Sequence, residues 1–364
     1  MICKNKPKIS IIIPLYNAAD SIDRCMESIR SQTFDDYEVI LVNDGSTDGS
    51  AEICRRYSDS DGQVIFVDKE NGGAGSARNA GIGVSNGEYI YFCDADDETN
   101  CDLLNRVYSA AESNNADLTV FSINRKTIDS NTGEVISEKC TPARDAVFTN
   151  KSLFRNSFSK LYYDGVLFGG PVNKLFKSSI IKKNNIRFPD LRRGQDEIFN
   201  FLYYPYVNKC VIIPDVLYTY FSYDKKAKNI KYRLDYFKTT TKTYLKTFES
   251  LMDDFGLTDE YTVSKFQNSF VYSMENSVLL AFNPFEKLSK NQKIQFIEKV
   301  MKDEYVLSQI NKIDYVPESH AEFWRLFSIG DPYCMYRFLK RGLTVSKIKE
   351  IIKKATKLRS AKTV

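Results

Sequence analysis

Strands alternating with helices over the first 120 residues predict an α/β fold, a mostly parallel sheet with helices on both faces, and a smaller all-helical region is expected to follow. Three observations carry this. Continuous β-branched runs read as strands buried on both faces. Stretches with apolar residues at helical spacing separate them. After about Tyr223 only helical spacing remains.

In order, Lys8 to Ile13 is the first strand, and Pro14, lacking an amide donor, is expected to end it. Ile22, Cys25, Met26 and Ile29 fall on one helical face. Tyr37 to Val42 is the second strand; Thr47 or Asp48 can cap the helix after it. Val64 to Val67, Glu88 to Cys93 and Asp117 to Phe121 are further strands, with a Gly/Ala-rich helix over Gly72 to Val84. Asn131-Thr132-Gly133 reads as a hairpin turn, Leu167 to Lys177 as turn-rich, Ile180 to Asn200 as helical, and Val211 to Tyr220 as a strand. Helices are expected over 232–255, 262–282, 289–301 and 319–327. The expected domains are 1–225 and 226–364, a plausible division at roughly 150 residues per domain.

Composition excludes several function classes. The only histidine of the 364 residues is His320, so Ser-His-Asp hydrolysis and histidine-ligated zinc are unavailable. A general base working near neutral pH is then expected to be a carboxylate. The eight cysteines stand singly, without a C-x-x-C pair, which argues against zinc and for a reducing cytosol. No stretch nears about 18 apolar residues and the start lacks a secretory pattern, so a cytoplasmic protein is expected. The net charge of +4 is too small to imply nucleic acid, and no such partner is expected. Its distribution is uneven. Nine basic residues against Glu350 between Lys340 and Lys362 make that tail +8 and leave −4 for the rest. Residues 344–358 form an amphipathic helical pattern with lysines opposite the apolar face. It suits the inner face of an anionic membrane or the protein's own flank, and both readings stand.

Polar clusters follow the strands, where open α/β sheets bind ligands. Asp94 and Asp96 of Asp94-Ala95-Asp96-Asp97 leave a strand end on one side and can hold Mg²⁺ or Mn²⁺. The alternative is an acidic helix start capped by Asp97 or Thr99. Asn43-Asp44-Gly45-Ser46 is a turn whose Asp44 can also accept from a base or ribose. Gly72 to Asn79 lets the backbone approach a ligand, and Arg78 offers a fork suited to phosphate. Its glycines follow the third strand, not the first, so a dinucleotide fingerprint is rejected. In Gly194-Gln195-Asp196-Glu197, Asp196 or Glu197 is the natural base, although either also suits a helix N-terminus.

Over Ile9 to Glu98 these motifs, in order and spacing, resemble the family 2 glycosyltransferases of GT-A fold, of the bacterial surface-polysaccharide type. A looser match runs through Asn173-Lys174-Leu175-Phe176 to Gly194-Gln195-Asp196-Glu197; residues after about 225 carry none. The resemblance implies an inverting transfer of a sugar from a nucleotide diphosphate donor, a UDP-sugar by preference, to a glycan or lipid-linked glycan hydroxyl. It places Pro14, Tyr16, Asn17, Asp44, Ser46, Arg78, Asp94 and Ala95 around the nucleotide. It makes Asp94 and Asp96 the metal pair, with Asp96 the direct ligand, and Asp196 the catalytic base. Gln195 stands where the family has Glu, which leaves Glu197 as a rival. The other readings are a nucleotidyltransferase and a non-catalytic nucleotide-sugar-binding protein.

Overall fold

The computed structural model describes residues 6–141, 144–167, 169–191, 193–224, 234–283 and 286–342. The basic stretch 344–358 lies outside the described residues. The chain divides into two compact units, residues 1–227 and 228–363.

The first unit runs β1 (Ile9–Leu15), α1 (Ile22–Arg30), β2 (Tyr37–Asp44), α2 (Ser50–Ser60), β3 (Val64–Lys69), α3 (Ala74–Val84), β4 (Tyr89–Phe92), β5 (Glu98–Thr99), α4 (Leu103–Asn114), β6 (Leu118–Ile128), β7 (Val135–Cys140), β8 (Ala146–Phe148), α5 (Lys151–Tyr163), β9 (Lys174–Lys177), α6 (Ser178–Lys183), α7 (Gln195–Tyr203) and β10 (Cys210–Tyr223). The sheet order is β3-β2-β1-β4-β9-β6-β10-β5, with β7 beside β6 and β8 beside β10. Neighbours β3-β2-β1-β4 are parallel, as are β6 and β10; β9 lies antiparallel to both β4 and β6.

Every residue of β1 is buried because both faces are covered. Ile9, Ile11 and Ile13 pack with Ile22, Cys25, Met26 and Ile29 of α1. Ile12 points the other way, to α3. A Cβ on Gly81 would lie 2.4 Å from Ile12 Cγ2, so this helix approaches the sheet only because it is Gly/Ala-rich there.

Several expectations need correction. Pro14 does not end β1; the strand runs on to Leu15, pairing with β2. Ile12 C=O faces β4 and accepts from Cys93 N–H, but β4 ends opposite Ile12. Pro14, two residues on and facing the same side, therefore misses no partner for its absent amide. Residues 167–177 are turn-rich only up to a short 3₁₀ turn, Pro171–Asn173; Lys174–Lys177 is a central strand. Its Lys-Leu-Phe-Lys sequence hides it, because Lys174 is fully buried, donating to Gly170 C=O at 3.0 Å and Asn173 Oδ1 at 2.7 Å. Residues 180–200 form two helices, α6 and α7, rather than one. Glu98 and Thr99 pair with β10 instead of starting a helix. Asp48 Oδ1 accepts the Ser50 amide at the start of α2.

The second unit is helical: α8 (Lys242–Phe255), α9 (Glu260–Leu279), α10 (Lys290–Met301), α11 (Glu304–Ile310), α12 (Ala321–Ile329) and α13 (Pro332–Gly342). The helical spacing missed α11 and α13. Asp259 caps α9, and Ser289 with Gln292 forms a capping box on α10. Phe270, Trp324 and Phe327 are buried against one another. Among the described residues no helix is long and apolar enough to cross a membrane.

Candidate active site

The carboxyl ends of β1, β2 and β4 deliver three turns to one rim. Asn17, after β1, sits in the left-handed region at φ 51°, tolerable for Asn. Its amide donates to Ser46 Oγ at 3.0 Å and its Oδ1 accepts from Thr47 N–H at 2.8 Å, tying the first turn to the second. Tyr16 beside it is 52% exposed, a free aromatic face, whereas Pro14 is buried in the strand.

Asp44 is buried and already clamped. Its Oδ1 takes Lys69 Nζ at 2.6 Å and the Gly72 amide at 3.0 Å; its Oδ2 takes the Gly73 amide at 2.7 Å. Sequence reasoning missed Lys69. The strand register could have found it, since Asp44 of β2 and Lys69 of β3 are direct partners.

Arg78, on α3, is the centre of the site. Its side chain is only 5% exposed, and its fork spans two carboxylates: Nη1 to Asp196 Oδ1 at 2.8 Å and Nη2 to Asp94 Oδ1 at 2.7 Å. It also lies over the Phe188 ring. Burial pulls its pKa down, but Asp196 and Asp94 more than offset this, and the net shift is upward. The fork thus bridges two acids. It is Asp196, not Glu197, that Arg78 joins to Asp94, although the two lie about a hundred residues apart in sequence.

Asp196 stands in the first turn of α7. Its side chain is partly exposed, and the groups packed around it strip enough hydration to raise its carboxyl above the usual range; Arg78 opposes this and Asp94 adds to it. That is the direction a base working near neutral pH needs. Gln195, buried, packs on α3: a Cβ on Gly75 would lie 2.1 Å from its Oε1.

The three acids after β4 differ. Asp94 is partly exposed and gives one oxygen to Arg78. Ala95 is buried, and Asp96 faces solvent. Neighbouring groups strip part of the Asp96 hydration and Asp94 adds like charge, so its pKa is raised. Asp97 is fully buried, bonded to Tyr218 and to the Phe221 amide. Among the described residues no group of three or more metal-type side chains could hold an ion alone. The Asp94–Asp96 pair still fits a hard cation that takes its other ligands from phosphate and water. The like-charge crowding at Asp96 is what such a cation relieves.

Residues 10–184 match the family described as "Glycosyl transferase family 2". The chain is 33% identical over 220 residues to the poly(ribitol-phosphate) beta-glucosyltransferase of Bacillus spizizenii, covering 58% of this chain and 32% of that protein. It thus spans about a third of that relative's length. It is 32% identical over 243 residues to the uncharacterized glycosyltransferase YibD of Escherichia coli, covering 64% of this chain and 69% of that one. The crystal structure of S. aureus TarS 1-349 in complex with UDP-GlcNAc superposes with a TM-score of 0.61 at 20% identity, over 92% of this chain and 90% of that one. This likeness shows the shared fold.

Proposed function

The chain belongs to the family 2 glycosyltransferases, and from that premise we propose that it moves a sugar from a UDP-sugar to an acceptor hydroxyl with inversion at the anomeric carbon. One observation supports this above the others: Arg78 joins Asp94, at the nucleotide end of the site, to Asp196, the carboxylate with raised pKa.

In this reading residues 1–225 bind and process the donor. Pro14, Tyr16, Asn17, Asp44 and Ser46 take the nucleoside, and Asp94 with Ala95 borders its phosphates. Asp96 and Asp94 would hold Mn²⁺ or Mg²⁺, which would supply positive charge to neutralise the departing diphosphate. Arg78 keeps a positive charge between the leaving-group side and the base. Asp196 takes the proton of the acceptor hydroxyl. The acceptor oxygen bonds to the anomeric carbon as the bond to the phosphate oxygen breaks on the opposite face, which inverts the centre. The nucleotide diphosphate leaves with that electron pair.

UDP as the carrier is supported by the UDP-GlcNAc of the TarS structure. A hydroxyl-bearing polymer as acceptor is supported by the poly(ribitol-phosphate) relative, and the acceptor proposed here is a glycan or lipid-linked glycan. The basic stretch 344–358, lying outside the described residues, is proposed to bring the enzyme to the inner membrane face. Loss of vesicle co-sedimentation on deleting it is the expected result; unchanged binding ends that idea.

The test of the function is a panel of nucleotide sugars assayed for metal-dependent nucleotide release. Asp196→Asn is expected to lower transfer by about 10²–10⁴ while donor affinity stays near normal. Near-normal turnover in that variant would remove Asp196 from its role.

A further inference from the structure

Asp97 shares a motif with the metal pair but not its fate. It is wholly buried, and both oxygens are used. Oδ2 accepts from Tyr218 Oη at 2.6 Å and Oδ1 from the Phe221 amide at 2.8 Å. Tyr218 Oη in turn accepts the Asp94 amide at 3.2 Å. A single phenol therefore stands between a buried acid and the backbone of the first metal-pair residue. The acid makes the phenol oxygen a better acceptor, since bonds in such a chain polarise one another.

The fold explains why Tyr218 is there. Along β6, the register of β10 slips twice, between Ile212 and Val216 and between Val216 and Tyr218, around Pro214. Such bulges re-aim side chains and recur beside active sites. Beyond the slips, β10 also pairs with β5, through Tyr218 with Thr99 and Thr219 with Glu98. Leu217 C=O accepts the Asn100 amide at 2.8 Å. The turn carrying Asp94 and Asp96 is thus pinned to β10 at Leu217, Tyr218 and Phe221. The side chain of Tyr218 and the amide of Phe221 reach the turn through Asp97 and the Asp94 amide.

We propose that Tyr218 and Asp97 are positioning residues for sugar transfer: the phenol, anchored on the buried carboxylate, fixes the backbone at Asp94 and so the spacing of the Asp94 and Asp96 oxygens. This rests on reading Asp94 and Asp96 as the metal pair. Neither Tyr218 nor Asp97 touches substrate. Their loss should therefore appear first as weaker cation binding, with less effect on turnover once the cation saturates.

The experiment uses the full chain saturated with UDP, which supplies the phosphate ligands, and Mn²⁺ titrated against a UDP-only blank and followed by the paramagnetic resonance signal of the free ion. Tyr218→Phe is expected to raise the half-saturating Mn²⁺ about tenfold, the usual scale for removing a group that orients a ligand. At saturating Mn²⁺, kcat should recover most of its value. Equal Mn²⁺ affinity in Tyr218→Phe and wild type overturns the proposal. So does a loss of kcat that Mn²⁺ does not restore, the signature of general structural damage. Should Tyr218→Phe not fold, Asp97→Asn decides by the same criterion, since it keeps the side-chain shape and one acceptor for the Phe221 amide. Wild-type protein that binds no Mn²⁺ would sink the metal-pair reading itself; wild-type binding with unaltered variants sinks only the positioning role.

Discussion

At Arg78 the cost of burying a guanidinium is offset by two carboxylates held at 2.7 and 2.8 Å. A lysine there keeps the charge but cannot fork. Losing one charge-assisted arm is worth about 1.5–3 kcal/mol, so Arg78→Lys is expected to lower kcat/KM for the donor by roughly 10- to 100-fold, read from UDP-release kinetics. Lys174 is the opposite case, a buried ammonium whose two partners are neutral. Burial pushes its pKa down to about 7 from an ordinary 10.5. The unfolded chain then holds a proton that the folded chain has released, so stability rises with pH above about 7. Burial also raises the Cys54 and Cys210 thiols, which works against stability once unfolded thiols ionise near pH 9. Between about pH 7 and 9, wild-type stability should gain up to about 1.4 kcal/mol per pH unit relative to Lys174→Met. Urea melts of both proteins at pH 7, 8 and 9 measure this, and parallel curves would refute it. Asp44 and Asp94 stand out in the sequence because acids after strand runs announce themselves by position, whereas Asp196, in the first turn of α7, stood level with Glu197 until the family resemblance separated them. Lys69 and Tyr218 were not legible, because each acts through a strand partner or a bulge that no local window displays.

Among the elements, β1, β2 and β4 were legible as continuous apolar runs and α3 as a Gly/Ala-rich helix, but the close approach of α3 to the sheet is visible only in the structure. Gly81 tests that reading. Alanine is a better helix former by about 1 kcal/mol, but overpacking a core costs about 1–3. With Ile12 Cγ2 at 2.4 Å from the new methyl, the overpacking cost falls toward the upper end of that range, and Gly81→Ala should lose a net of up to about 2 kcal/mol in denaturant unfolding. The double variant with Ile12→Ala should lose less than the two single losses together, because the methyl then has room. A stabilised Gly81→Ala would show that α3 can move off the sheet freely. β9 escaped notice because its buried lysine breaks the apolar pattern, and α6 and α7 read as one helix because both share helical spacing across the Pro189 break.

For the whole molecule, helicity after the sheet was legible from spacing alone, but no motif there speaks of function. Every proposed site residue lies in residues 1–227, which form one compact unit. Expressed alone, that unit is expected to bind UDP within about threefold of the full chain by calorimetry. A much weaker fragment would show that the helical unit contributes to the site. The antiparallel β9 also bears on synthesis. Its partner β4 ends at Phe92, and Lys174 emerges 82 positions later. At about 5–20 residues per second the ribosome leaves that flank of β4 bare for roughly 4–16 s. A nascent sheet with an open apolar border is prone to recruit a neighbouring chain. The strand that closes it has a lysine at each end, and such charges discourage pairing with strangers while the chain is still being made.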